Sequence, residues 1–573
     1  MNPAWLLTAV VALVIGVTIA RRVRLQRLAR IRADWGQPIA RSRRLDACAS
    51  SHAARVAGTG GGSLDDRTWA DLNLDEVFVA IDRTQSTLGQ HALYHRLRTA
   101  PHGDSLEAFE ALVTTFGHDV ESRERTQLAL MRLQDPHGYD VWWLATPDAI
   151  EPRAWYRVFP LLTLLPIAAL SLTPVWPPAW AVFVGLVLLN IAVRGGTDAQ
   201  VHDIARSVRQ FAPLIATAES LRFLVGREID PIVLPLRTDV AGLGRLKLVS
   251  RWVNGDPFML SVSGSPLAMI VTAFVNVIYE YLNLGLLLDA TGAYFAVRDL
   301  NARHAAFLRV VAAAGDVDAA ISVASYRASR PDWVAPRFAV AGARADMSDL
   351  RHPLIDEAVP NSIALPAGRG VLVTGSNMSG KSTFLRTVGV NAVLAQTIHT
   401  CLAHQYHAPM FRIRSVIGRA DDIMSGRSYY IVEVESLLEL VRESESPAPC
   451  LFLLDELFRG TNAVERIAAG RAVLEALIGA GSGRASHVAL AATHDAELVD
   501  LLHESFDPYH FGDTVSDDGL VFDHRLRAGP ATSRNAIALL RIHGAPEALL
   551  KRALATAEVL DEGRPVTVPE ARR

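Results

Sequence analysis

Gly375-Ser376-Asn377-Met378-Ser379-Gly380-Lys381-Ser382-Thr383 has the residue types and spacing of a phosphate-cradling loop. Upstream, Gly370 to Thr374 reads as a buried apolar strand; downstream, Phe384, Leu385, Val388, Val390 and Leu394 recur at helical spacing. A loop in that position turns its backbone amides toward an anion at a helix N-terminus. In this reading Lys381 neutralises the β- and γ-phosphates of a nucleotide, and the Ser382 hydroxyl ligates Mg²⁺. Composition supports the assignment. Of 57 basic residues only Lys247, Lys381 and Lys551 are lysines; where a phosphate cradle needs a compact ammonium, the chain keeps one.

Two further strands supply the partners such a loop requires. Leu451 to Leu454 is an apolar run closed by Asp455 and Glu456, which is how a buried parallel strand delivers acids to the carboxyl edge of a sheet. Asp455 is expected to hold the Mg²⁺ shell, and Glu456 to orient or deprotonate the attacking water. The alternative is a pair of surface acids ending a core strand. Val488 to Ala492 ends in Thr493-His494-Asp495, which puts His494 at the same edge as a γ-phosphate sensor.

These segments, taken with Asp421 to Ser428 and the run Asp455-Glu456-Leu457-Phe458-Arg459-Gly460-Thr461-Asn462, resemble the ATPase domain of MutS, the DNA mismatch-repair family. The resemblance extends from about Arg351 to Leu560. It implies an α/β P-loop NTPase of the ABC/MutS type at the C-terminal end, preceded by an all-α MutS-core-like region, with ATP and Mg²⁺ as cofactors. It also implies a homodimer formed through the ATPase domains, in which Ser425, Gly426, Arg427 and Ser428 of one subunit complete the nucleotide site of the other. A small-residue turn followed by an N-cap serine can present amides and a hydroxyl to an anion, and it can equally be an ordinary helix cap. The resemblance places Arg459 to Asn462 at the same interface. In the segment where MutS-like sites stack an aromatic on adenine, this chain has Val359 and Pro360.

Half of the 573 residues are apolar and mean hydropathy is slightly positive, an excess concentrated in two blocks. Ala4 to Ala20 carries no charge and would rise about 26 Å as a helix. Arg21, Arg22, Arg24, Arg27, Arg30 and Arg32 follow, predicting a transmembrane anchor with Met1 outside and the remainder in the cytoplasm. Val158 to Val193, interrupted by Thr173-Pro174-Val175-Trp176-Pro177-Pro178, reads as a transmembrane hairpin, with Arg153, Arg157 and Arg194 holding both ends on the cytoplasmic side. A buried helical pair is the alternative. Ser261 to Leu288 carries Asn276, Glu280 and Asn283 and reads as a core helix. The expected organisation is an anchor at 1–33, a linker at 34–64, helical regions at 65–157 and 195–340 flanking a membrane hairpin at 158–194, and the ATPase domain at 341–573. The expected location is the cell membrane, multi-pass. Cys48, Cys401 and Cys450 have neither disulfide nor zinc spacing, which suits a reducing compartment.

Against MutS itself, the sequence before the core leaves no room for a large mismatch-reading domain. A net charge of −3 gives no global electrostatic footprint for duplex DNA. The leading expectation is a membrane-anchored MutS-like ATPase that hydrolyses ATP at composite dimer sites to drive conformational change. One alternative is a DNA-binding repair or recombination protein using ATP as a clamp switch. Another is an ABC-type ATPase coupled to transport, disfavoured by the thin membrane path and by a signature unlike Leu-Ser-Gly-Gly-Gln.

Overall fold

The computed structural model describes residues 3–39, 43–57, 64–99, 103–134, 141–144, 154–196, 204–205, 208–226, 229–253, 277–376, 378–417, 429–479, 487–516, 519–531, 537, 540–541 and 544–562. Backbone contacts group the chain into two compact units, Met1–Ser63 with Phe78–Pro331, and Leu64–Val77 with Asp332–Arg573.

The first unit is helical. Its longer helices are α1 (Pro3–Asp34), α2 (Leu45–Val56), the latter part of α4 (Leu74–Ile81), α5 (Thr87–Arg98), α6 (Gly103–His118), α7 (Val120–Leu130), α8 (Phe159–Leu172), α9 (Ala179–Gly195), α10 (Phe211–Ser220), α11 (Gly244–Val253), α12 (Leu288–Ala302) and α13 (His304–Ala328). Helix α13 is buried along most of its length and packs on α5 and α6. It approaches α5 so closely that a Cβ on Gly315 would lie 2.8 Å from the Leu88 carbonyl oxygen. Apolar positions at three- and four-residue steps predict helix between Leu74 and Arg98, and the structure divides it at Asp82–Ser86. The cause is a buried carboxylate: Asp318 of α13 accepts hydrogen bonds from the Gln85 and Ser86 amides at 2.8 and 2.7 Å and from the Ser86 hydroxyl at 2.6 Å. Ser86 then caps α5 by accepting from the Gly89 amide.

The second unit is α/β. Its central sheet has strand order β12-β11-β5-β10-β9-β8, built from β5 (Gly370–Thr374), β8 (Arg412–Val416), β9 (Cys450–Asp455), β10 (Val488–Ala492), β11 (Phe506–Ser516) and β12 (Gly519–Ala528). All neighbours are parallel except the β11–β12 pair. Strands β5 and β10 are buried at every position, as expected where helices cover both faces of a parallel sheet. A smaller sheet, β2-β7-β3-β4, contains β2 (Arg337–Ala339), β3 (Ala345–Leu350), β4 (Asn361–Leu365) and β7 (Gln405–Pro409), and β1 (Trp333–Val334) pairs with β6 (Cys401–Leu402). The helices are α14 (Lys381–Ile398), α15 (Tyr429–Glu443), α16 (Ala463–Leu477), α17 (Ala496–Leu501) and α18 (Glu547–Glu562).

A segment distant in sequence completes this unit. Helix α3 (Asp66–Asp71) is capped by Asp65, which accepts from the Thr68 amide. The Asp71 carboxylate takes the Ser415 hydroxyl at 2.8 Å and the Ile417 amide at 2.9 Å, while Arg386 of α14 donates to the Asp71 carbonyl oxygen at 2.7 Å. Residues 64–77 are therefore structurally part of the α/β unit.

The transmembrane expectation is corrected. Among the described residues, no helix is long and apolar enough to cross a membrane. Helices α8 and α9 have 14 and 17 residues, about 21 and 26 Å at 1.5 Å per residue, against a hydrocarbon layer of about 30 Å. The turn around Pro174, Pro177 and Pro178 stops both helices before either reaches spanning length. Most side chains of the anchor expected at 1–33 that precede Arg21 lie outside the described residues. The part of the expected core helix at Ser261–Leu288 that is described exposes Val277, Ile278, Tyr281 and Leu282.

Asp318 is wholly buried, and its removal strands two amides and a hydroxyl. Asp318→Ala is expected to lower the stability of the helical unit by about 3 kcal/mol, read as a downshifted urea midpoint. Asp318→Asn, which keeps one acceptor oxygen, should lose less.

Candidate functional site

Parallel register brings the sequence-distant candidates to one sheet edge. Ala492 lies opposite both Val373 of β5 and Asp455 of β9, and the Thr493 amide donates to the Val373 carbonyl oxygen at 3.0 Å. The residues just beyond these three strand ends, Gly375 onward, Glu456 and His494, therefore converge.

The loop between β5 and α14 turns on two glycines with positive φ, Gly375 at 143° and Gly380 at 116°. At Gly375 the fit is also steric, because a Cβ there would sit 2.9 Å from the Ser379 hydroxyl oxygen and 3.0 Å from the Phe511 carbonyl oxygen. Gly380 precedes the first turn of α14, so the helix N-terminus opens at Lys381, Ser382 and Thr383. Met378 has positive φ and is 84% exposed. Asn377 lies outside the described residues, as do Ser425, Gly426, Arg427 and Ser428; α15 begins at Tyr429, directly after them.

Lys381 is only 5% exposed. Its ammonium donates to the Gly375 and Ser376 carbonyl oxygens, both at 3.0 Å. Burial pulls its pKa down to about 8, with Asp455 opposing and Arg459 assisting the shift. The Ser382 hydroxyl donates to Asp455 Oδ2 at 2.5 Å. Glu456, at φ 54°, forms an ion pair with Arg459, and His494 Nε2 lies 2.9 Å from its carboxylate. His494 Nε2 also lies 3.1 Å from Lys381 Nζ. Burial and the neighbouring Lys381 and Arg459 charges hold the His494 pKa below its ordinary value, so the ring is neutral. With a proton on Nε2 it donates to Glu456, and without one it accepts from Lys381. A single ring nitrogen serves one of these partners at a time.

Three buried oxygens in this cluster, Ser376 Oγ, Ser379 Oγ and Asp455 Oδ1, have no hydrogen-bond partner among the described residues. Unsatisfied polar atoms of this kind are costly unless a ligand uses them. They surround an ammonium, a helix N-terminus and a carboxylate, a donor set that fits a phosphate chain and a hard divalent cation.

Beside the loop is a cavity of ≈ 250 Å³ whose walls include Leu350, His352, Val359, Phe384, Phe511 and His524. Burial lowers the His352 pKa to about 4. His524 Nδ1 lies 3.0 Å from the Ser379 carbonyl oxygen, and Asn361 pins the strand carrying it by donating to the His524 carbonyl oxygen and accepting from the Leu526 amide. Val359 was legible as a wall of this region; His524 was not, because only the fold-back of β12 on β11 returns it to the loop. Arg459-Gly460-Thr461-Asn462 contains an ordinary helix start, with Asn462 accepting from the Glu465 amide to cap α16.

The Lys381 shift sets a pH dependence. Below about pH 8 the empty site holds an ammonium ready for phosphate; above it, binding must also recruit a proton. Nucleotide affinity is therefore expected to be level up to about pH 8 and to fall by up to tenfold per unit above it, measured by fluorescent-nucleotide titration. Affinity unchanged to about pH 10 would refute the assignment of Lys381 as the phosphate-binding cation.

Residues 371–561 match the family model described as MutS domain V. The chain is 35% identical over 274 residues to the DNA mismatch repair protein MutS of Thermus aquaticus, covering 47% of this chain and 32% of that protein. It is 35% identical over 280 residues to the DNA mismatch repair protein MutS 2 of Halobacterium salinarum, covering 47% and 31%. With MutS of Sorangium cellulosum it shares 34% identity over 287 residues, covering 48% and 30%. The chain thus spans about a third of the length of the curated relatives it matches, and its similarity to MutS, anchored by the domain V match, takes in the β5–α14 loop and the ends of β9 and β10.

Proposed function

We propose that this chain is a MutS-like ATPase that binds ATP with Mg²⁺ at the β5–α14 loop and hydrolyses it to drive conformational change. The observation that carries the reading is the set of unsatisfied buried oxygens around Lys381. Ser376, Ser379 and the loop amides bind the phosphates, with Lys381 exchanging its two carbonyl partners for phosphate oxygens. Ser382 and Asp455, already in contact, hold the cation, which supplies charge neutralisation on the phosphates when bound. Glu456 orients the attacking water, and His494 reports the γ-phosphate by shifting between Lys381 and Glu456. The cavity lined by Phe511 and His524 receives the base. Two copies form the working unit, with Ser425 to Ser428 of one closing the phosphate site of the other.

Glu456→Gln is expected to retain ATP while turnover falls by about 10²–10⁴-fold, measured by nucleotide retention and phosphate release. Near-normal turnover would remove Glu456 from the water-orienting role. Neither Ser428→Ala nor Lys381→Ala should be active alone. Mixed, they should regain activity at one composite site of the heterodimer. Failure in confirmed heterodimers would leave each site self-contained.

A second reading is favoured by the relatives' names, which are those of DNA mismatch repair proteins. In that reading ATP switches a clamp on duplex DNA. Binding of homoduplex and mismatched duplex across a salt series separates the two: the clamp reading expects affinity that falls steeply with salt, whereas a machine acting elsewhere shows no duplex binding at any salt.

A further inference from the structure

The helical unit carries an apolar surface that its own core does not use. From Val158 to Val193 the chain has no charged residue. Helices α8 and α9 pack against each other as an antiparallel pair. On α8 the buried positions Phe159, Thr163, Pro166 and Ala169 form one stripe. Most of the remaining helix surface is exposed and apolar, including Leu161, Leu164, Ile167 and Leu170. On α9 only Ala179 and Asn190 are buried, while Val182, Val184, Leu188 and Ile191 are exposed. At 100° per residue the exposed apolar arc covers roughly 200° of each helix. The connecting turn adds Val175, 86% exposed, and Trp176.

Three features identify what covers this surface. A folded protein partner buries one face of a helix pair, whereas here the apolar arc wraps both helices and the tip, which acyl chains can surround and a single complementary face cannot. The hydroxyls of the pair are already bonded to backbone: Thr163 donates to the Leu286 carbonyl oxygen at 2.7 Å, Ser171 to that of Ala168 at 2.8 Å and Thr173 to that of Leu170 at 2.7 Å. Dehydrating the hairpin therefore exposes no hydroxyl donor to hydrocarbon. The polar anchors sit at the base, where Asn190 donates to the Leu162 and Gly285 carbonyl oxygens and Arg194 pairs with Glu280 at 3.4 Å.

We infer that the α8–α9 hairpin is a re-entrant lipid insertion, entering and leaving a phospholipid bilayer on one side without either helix crossing it. At about 21 and 26 Å the helices reach most of the way through the acyl layer. The turn with Trp176 and Trp180 then lies inside the acyl layer, roughly 4–9 Å short of the far headgroup boundary. Arg157, exposed, and Arg194, partly exposed, mark the headgroup level of the entry side. The inference is independent of the nucleotide site.

The test is local to the hairpin, so that contributions from α1 do not enter it. The native cysteines are buried, and a full-length Val175→Cys chain can carry an environment-sensitive dye at the turn. With phosphatidylcholine vesicles, with and without phosphatidylglycerol, the dye is expected to shift to the blue and be quenched by brominated acyl chains. The same dye on Val340→Cys, 80% exposed in the α/β unit, should stay aqueous. Adding Leu164→Glu and Leu188→Glu should cut the lipid-bound fraction of the turn-dye signal at least tenfold, while nucleotide binding verifies the α/β unit and circular dichroism the helices. A shift in both vesicle types assigns the insertion to acyl chains; one confined to phosphatidylglycerol adds a headgroup requirement. A turn dye that stays aqueous with vesicles overturns the proposal. So does a blue shift that needs no lipid and grows with protein concentration, which would assign the surface to a second copy.

Discussion

A lysine ammonium that is almost fully buried depends on what surrounds it, and the proposed nucleotide site is organised around that demand. Lys381 has two carbonyl oxygens and one imidazole nitrogen within hydrogen-bonding distance, with the Asp455 charge opposing the effect of burial. Carbonyl oxygens compensate the loss of hydration only in part, which is why burial dominates the downward shift of its pKa. A polyphosphate is a far better partner than two carbonyls. The loop thus holds the cation in reserve, under-satisfied, with unpartnered serine and aspartate oxygens beside it.

The same tension extends to Glu456. Its carboxylate is occupied by Arg459 and His494, so it is not free to engage water in this arrangement. Releasing it requires His494 and Arg459 to find other partners, which a γ-phosphate beside Lys381 would supply on the proposed function. On the proposed function, nucleotide binding and release of Glu456 are one exchange of partners among four side chains. The exchange can be local because Val373, Ala492 and Asp455 are in lateral register.

How much of this was legible in the sequence follows from the range of the interactions. The phosphate loop, the β9 acids and His494 each sit at a strand end, and a run of apolar residues followed by an abrupt polar one announces a strand end locally. The break between α4 and α5 was only half legible: Asp82 to Thr87 is a run of six polar residues, but the acceptor that fixes the interruption, Asp318, lies far away in α13. His524 in the wall of the cavity beside the loop and the incorporation of Leu64–Val77 into the α/β unit were hidden because the contacts that place them are distant in sequence. Hydropathy located the α8–α9 block correctly but overstated its reach. Composition measures how apolar a stretch is, whereas prolines at its centre decide how long a helix can be made from it.

That distinction bears on how chemistry at the sheet edge could be passed on. Asp71 holds Ser415 and Ile417, and the residues after Ile417 lead directly into the segment from Asp421 to Ser428 that the MutS resemblance assigns to the opposing site. The chain that carries Asp71 continues through α4, which begins in the α/β unit and ends in the helical one. A displacement of the strand end at Ile417 must therefore either break two hydrogen bonds to a buried carboxylate or carry α3 along with it. Breaking them costs several kcal/mol for a charged acceptor left with fewer partners, so the strand end and α3 are held as one piece within the α/β unit.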